Sequence, residues 1–184
     1  MKKLLLVTAI ILLGVTNLNA QDIQFGVKGG LNFATISGDH TENIDMVTAF
    51  NIGGMVEIPV SEKLSVQPEI IFSGTGFSID DNTTALNYLN IPLIAKYYII
   101  KGLSLEAGPQ IGFLLSAKNE DLDVKDAYNN VDFGITTGVG YKLNNGINFG
   151  ARYNFGLSNI NNIDGATDKN RIGALQLSIG YFFN

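Results

Sequence analysis

Hydrophobicity alternates with a period of two over most of this chain, in runs longer than the strands of an ordinary soluble domain. The clearest run is Ile147 to Leu157. Its odd positions are Ile147, Phe149, Ala151, Tyr153, Phe155 and Leu157, and its even positions are Asn148, Gly150, Arg152, Asn154 and Gly156. A helix would scatter the two classes around its circumference, whereas a strand sends them to opposite faces. The same register holds in Leu103 to Leu115, in Val131 to Leu143 and in the closing run Leu175 to Phe183. Weaker versions occupy Gln24 to Ile36, Thr48 to Val60, Leu64 to Ile79 and Leu86 to Ile100. These runs predict eight strands.

Short and long connections take turns between them. Tight turns are predicted at Ser61-Glu62-Lys63, Ile100-Lys101-Gly102 and Asn144-Asn145-Gly146, the last an Asn-Gly hairpin signal because both residue types tolerate positive φ. Longer polar links are predicted at Ser37 to Val47, Asp80 to Ala85, Ser116 to Asn130 and Ser158 to Asn170. With both termini in the periplasm, every tight turn is periplasmic and every long link is outside, as in transmembrane barrels.

Alternation alone does not separate a membrane barrel from a soluble one. Composition decides, because the apolar face carries large Leu, Ile, Phe and Tyr while the other is crowded with Gly, Ser, Thr and Asn, in a chain with 21 Gly. Large residues suit lipid, and small polar residues suit a narrow interior. Tyr97, Tyr141, Phe149, Tyr181 and Phe183 fall toward the turn side, and Tyr88, Phe113, Phe133 and Phe155 toward the loop side, which predicts two interfacial girdles. The predicted fold is therefore all-β: an eight-stranded antiparallel up-and-down transmembrane β-barrel with short periplasmic turns and longer extracellular loops.

The N-terminus fits an exported protein. Met1-Lys2-Lys3 is a positive cluster, Leu4 to Val15 is apolar, and Thr16 to Ala20 is a polar region ending in a small residue. Residues 1–20 read as a cleaved secretory signal peptide and residues 21–184 as the barrel domain, bound for the outer membrane of a Gram-negative bacterium. Cysteine is absent, so disulfides and thiolate metal sites are not available. A net charge of -5 argues against nucleic acid as a partner.

Four stretches carry a family resemblance: Phe25-Gly26-Val27-Lys28-Gly29-Gly30-Leu31-Asn32-Phe33, Tyr88-Leu89-Asn90-Ile91-Pro92-Leu93, Ala107-Gly108-Pro109-Gln110-Ile111-Gly112 and Arg152-Tyr153-Asn154-Phe155-Gly156-Leu157. Together they resemble the PorT-type outer-membrane β-barrel domain family. The resemblance implies an outer-membrane barrel of unassigned biochemical role, with no catalytic residues to carry over.

Chemistry is sparse. The single histidine, His40, stands in the polar loop Ser37-Gly38-Asp39-His40-Thr41-Glu42, where a rim hydrolase would need it. No second histidine and no Gly-x-Ser-x-Gly elbow supports that role, and a solvated loop is the favoured reading. The carboxylates of Asn119 to Asp126 and the oxygen-rich Asn161 to Gly165 could serve a divalent ion, yet neither has the order of an EF-hand loop. No cofactor is expected. Counting outward from the turns, Lys28, Glu57, Glu69, Lys96, Glu106 and Arg152 fall on the polar face at similar heights, within roughly 7 Å given about 3.3 Å of rise per residue. Charges so confined need partners, which predicts a plug of ion pairs in the lumen. The function expected is structural or interactive, with outer-membrane lipids and lipopolysaccharide around the wall and a protein partner at the loops. A rim hydrolase and a narrow pore for small solutes are the alternatives.

Overall fold

The computed structural model describes residues 23–39, 41, 44–79, 82–162 and 169–183. The predicted signal peptide and His40 lie outside the described residues. Eight long strands make the wall: β1 (Gln24–Gly38), β2 (Asp45–Pro59), β3 (Leu64–Ile79), β4 (Asn82–Ile100), β5 (Leu103–Asn119), β7 (Val131–Lys142), β8 (Ile147–Gly156) and β9 (Asn170–Phe183). Between β5 and β7, the two-residue β6 (Leu122–Asp123) folds back on the end of β5, and a short 3₁₀ turn covers Lys125–Ala127.

Every wall strand pairs antiparallel with its neighbour in the chain, and β1 pairs with β9 from Phe25↔Phe183 to Gly38↔Asn170. The ring therefore closes and no wall strand has a free edge. Following Cα partners around the ring returns the path to β1 about ten residues from its start, a stagger that tilts eight strands by roughly 40° to the barrel axis. A strand so tilted crosses the hydrocarbon with about 9–11 residues. β8, with 10 residues, just does so, whereas β3, β4 and β5, with 16, 19 and 17, stand well above it. The outer rim is thus tall on one side and low on the other.

That extra height corrects the predicted loops. Asn82 to Ala85, read as part of a long link, belong to β4, and only residues 80–81 separate it from β3. β9 likewise begins at Asn170, five positions before the predicted Leu175. The reason is a reversal of pattern along each strand. Within the membrane the outward face is apolar, as at Leu31, Ile70, Leu93 and Leu177, and the inward face polar. Above it the outward face meets water and carries Ser37, Thr83, Lys118 and Arg171, while Ile36, Phe77, Leu86, Leu114, Ala117 and Ile172 turn inward and are buried. The strands run on past the membrane segment, with register shifts between Leu114 and Ser116 on β5 and between Met46 and Asn51 on β2, as the two faces exchange solvents, and a rule written for the membrane segment ends them too early.

Eight of the nine aromatics assigned to girdles stand outward and exposed, including Tyr97, Tyr141, Phe133 and Phe155. Tyr88 is the exception. It shares the inward parity of Leu86 and Asn90 and is 3 % exposed, so it belongs to the interior and not to the interface. The Asn144-Asn145-Gly146 turn also differs in detail: Gly146 alone takes positive φ (88°), and Leu143 N and Ile147 O close the turn at 2.8 Å. It is a longer turn ended by a left-handed glycine, not a two-residue Asn-Gly turn.

Candidate functional site

The inward face of the membrane segment converges on a chain of alternating charges. Lys28 Nζ lies 2.9 Å from Glu69 Oε2, and Glu69 Oε1 lies 2.8 Å from an Arg152 terminal nitrogen. Arg152 Nε donates to Glu106 Oε2 at 2.6 Å, and Glu106 Oε1 is 3.5 Å from Lys96 Nζ. Lys96 reaches Glu57 Oε2 at 3.2 Å, and the same oxygen meets Lys142 Nζ at 3.0 Å. Each carboxylate bridges two cations, so none of the three is left with an uncompensated charge.

Neutral groups complete the coordination. Gln67 donates to Glu69 Oε1 and accepts from Lys96 at 3.1 Å, the Tyr98 hydroxyl donates to Glu57 Oε1, and Ser104 donates to Glu106 Oε1 at 3.2 Å. The charged side chains are at most 5 % exposed except for Lys142, at 21 %. Buried charges of this kind hold together only when geometry and hydrogen bonds offset their desolvation, and here both do.

Two of the links are struts across the barrel. Around the ring, β3 and β8 lie opposite each other, as do β2 and β7. Arg152 on β8 and Glu69 on β3 therefore span one diameter, and Lys142 on β7 and Glu57 on β2 span another. Glycines on the inner face of β7 make the room. A Cβ at Gly138 would stand 2.9 Å from Arg152 Cγ, and one at Gly140 would stand 3.0 Å from Glu106 Cδ, closer than real side chains pack.

Below the chain, toward the turns, Phe182 is fully buried with Lys142 Nζ 4.9 Å and Lys96 Nζ 5.6 Å from its ring centre. Above it lies an amide layer, in which Asn51 and Gln176 donate to Asn32 Oδ1 while Asn32 donates to Ser73 Oγ at 2.8 Å. Higher still, the apolar inward residues form a cluster that Ile160 closes from the loop side, with Ile44, Val124 and Tyr128 packed against it.

The connection between β5 and β7 and the one between β8 and β9 are tied into one layer. Tyr128 bridges Asn161, Asn129 N donates to Ile160 O at 2.8 Å, and the Asn129 amide donates to Asn159 O and Asn161 O. Lys169 N adds a bond to Asp39 Oδ2 after β1. Among the described residues, no three acidic or histidine side chains gather closely enough to hold a metal ion.

All six residues singled out in the sequence, Lys28, Glu57, Glu69, Lys96, Glu106 and Arg152, belong to the charge chain. Lys142 and Tyr98 belong to it as well and were not singled out. Both stand beside tight turns, where side chains ordinarily reach solvent, but both share the inward parity of their strands, which is the signal that would have found them.

A closed eight-stranded barrel with an apolar belt outside and a polar, charge-filled interior is an integral membrane barrel of the outer-membrane class. The chain belongs to the outer membrane protein beta-barrel domain family, whose model matches residues 19–162. Among solved structures it is similar to Neisserial surface protein A (14 % identity, TM-score 0.60) and to Ail, the attachment invasion locus protein of Yersinia pestis (14 % identity, TM-score 0.56). Each alignment covers 89 % of this chain and 100 % of the other. Ail in complex with the heparin analogue sucrose octasulfate is also similar, at 14 % identity and a TM-score of 0.53, with the same coverage. At such identities the likeness is one of fold. The comparison with curated proteins finds no match.

Proposed function

We propose that this protein is a structural and surface-interaction barrel, sealed to solutes, that presents its outer loop layer to a protein partner while outer-membrane lipids and lipopolysaccharide surround its wall. Within its family we place it with the PorT-type barrels. The observation that carries this reading is the pair of struts Arg152–Glu69 and Lys142–Glu57, which cross the lumen where a solute would have to pass. The apolar cluster beneath Ile160 supports it from the other end. A narrow pore would have to break both, and catalysis would rest on His40 without a partner in the sequence.

The ligand class of Ail does not transfer with its fold. Ail binds a polyanion in the structure named above. Here the outer strand ends and loops carry Asp39, Asp45, Glu120, Asp121, Asp123 and Asp126 against Lys118, Lys125, Lys169 and Arg171. That balance favours a basic protein surface, or lipopolysaccharide phosphates bridged by cations.

The test separates the loops from the wall. In a deletion strain, wild-type protein is compared with the Asn129→Ala, Ile160→Ser double variant for barrel assembly, detergent resistance and cell-to-cell adhesion. The expected result is a barrel that assembles normally in a strain that behaves like the deletion. Wild-type behaviour would move the function into the wall and overturn the reading.

A further inference from the structure

Between the amide layer and the apolar cap lies a chamber of about 30 Å³. A water molecule needs upward of about 10–15 Å³, so the chamber has room for a pair of waters or one small ion. Its polar lining includes Tyr88, Asp132, Thr75, Asn90, Gln110 and Asn154. Two of these hold buried oxygens without a hydrogen-bond partner: the Tyr88 hydroxyl, on a residue 3 % exposed, and Asp132 Oδ1.

The charge balance of the chamber is equally specific. Among the described residues, Asp132 is its single carboxylate, and no lysine or arginine lines it. The cations below are engaged with Glu57, Glu69 and Glu106. Asp132 is half-buried, but its Oδ1 is fully buried with neither a hydrogen-bond partner nor a countercharge, which is costly, and the unpartnered Tyr88 hydroxyl adds to the cost. Waters would give both oxygens a hydrogen-bond partner, but a cation that takes hard oxygen ligands also supplies the missing countercharge. A single carboxylate among neutral hydroxyl and amide oxygens supplies one negative charge. Divalent Ca²⁺ sites recruit several carboxylates, which are absent here.

We infer that the chamber binds one monovalent cation the size of Na⁺, held by Asp132 and Tyr88 with neutral oxygens around it. Tyr88 and Ile172 of the apolar cluster line it on the loop side, and the charge chain lies below. The site is distinct from the charge chain and does not depend on the loops having a partner.

The test is thermal unfolding of the refolded full barrel in detergent, followed by far-ultraviolet circular dichroism in NaCl and in choline chloride at equal concentration. Choline is too large for the chamber, so ionic strength is matched without the ligand. The expected result is a midpoint higher in NaCl by roughly 5–10 °C once Na⁺ exceeds its dissociation constant a hundredfold. Asp132→Asn is expected to abolish the difference. Tyr88→Phe keeps the carboxylate and loses one ligand, and it decides the matter should the first variant fail to fold: the Na⁺ concentration giving half the shift is expected to rise about tenfold. Equal midpoints in the two salts for the wild type would overturn the proposal. So would a wild-type shift retained in the variants, because the effect would then belong to the surface.

Discussion

Replacing Arg152 by Met tests the charge chain where it is most connected. Arg152 is the link between Glu69 and Glu106, at 2.8 and 2.6 Å, and its loss cuts the chain into two halves. Glu69 would keep Lys28 and Gln67, and Glu106 would keep Lys96 and Ser104. Each would then hold a buried carboxylate with one cation instead of two. Removing one partner from a buried ion pair costs about 3–5 kcal/mol, chiefly because the remaining charge stays desolvated. For a domain of this size each kcal/mol moves the midpoint by about 2–4 °C, so the expected fall is roughly 10–15 °C. The assay is the fraction of compact, fast-migrating barrel on unboiled SDS gels after incubation at rising temperature. Adding Glu106→Gln removes a buried carboxylate left with only one cation, 3.5 Å distant, and part of the loss should return. An Arg152→Met barrel that melts within about 2 °C of wild type would refute the reasoning, since Glu69 and Glu106 would then be solvated by some other route.

Other positions grade the same account. Lys142 ends the chain and is 21 % exposed, and Glu57 keeps Lys96 and the Tyr98 hydroxyl without it, so Lys142→Met is expected to lower the midpoint by only about a third as much. Phe182→Ala empties a fully buried position under Lys96 and Lys142 and should cost about 3–5 kcal/mol in the same gel assay. Ile160→Ser withdraws the apolar closure from the outer cluster. Protease added outside should then nick the β8–β9 connection several-fold faster, while the barrel keeps its compact band on unboiled gels.

The parts of this fold legible in the sequence are those in which one physical rule acts along the whole element. Ile147 to Leu157 faces lipid on one side and the lumen on the other from end to end, and its period is unbroken. β4 obeys that rule only over part of its length. Above the hydrocarbon its inward residues become Tyr88 and Leu86 and its outward ones Asn87 and Thr83, because water has replaced lipid outside and an apolar cluster has replaced the polar interior inside. The sequence period continues there, but its assignment to faces reverses, so Tyr88 reads as a girdle residue and the strand end reads as a loop.

The charge chain is partly legible for a related reason. Parity and distance from the turns bring Lys28, Glu57, Glu69, Lys96, Glu106 and Arg152 to one region. Which carboxylate meets which cation depends on the stagger of the closed ring, and that is a property of all eight strands together. Arg152 and Glu69 are 83 residues apart and face each other only because three strands separate β3 from β8 on either side of the ring. Nothing local in either strand records that distance.

The proposed function requires a sealed lumen. Conductance of the purified barrel in planar lipid bilayers tests it most directly, with insertion established beforehand by the compact band on unboiled gels. With the struts Arg152–Glu69 and Lys142–Glu57 in place, the expected result is a flat baseline with no resolved channel steps at any moderate voltage. Reproducible, uniform steps from the wild-type barrel would mean that ions pass those struts, and would contradict the account.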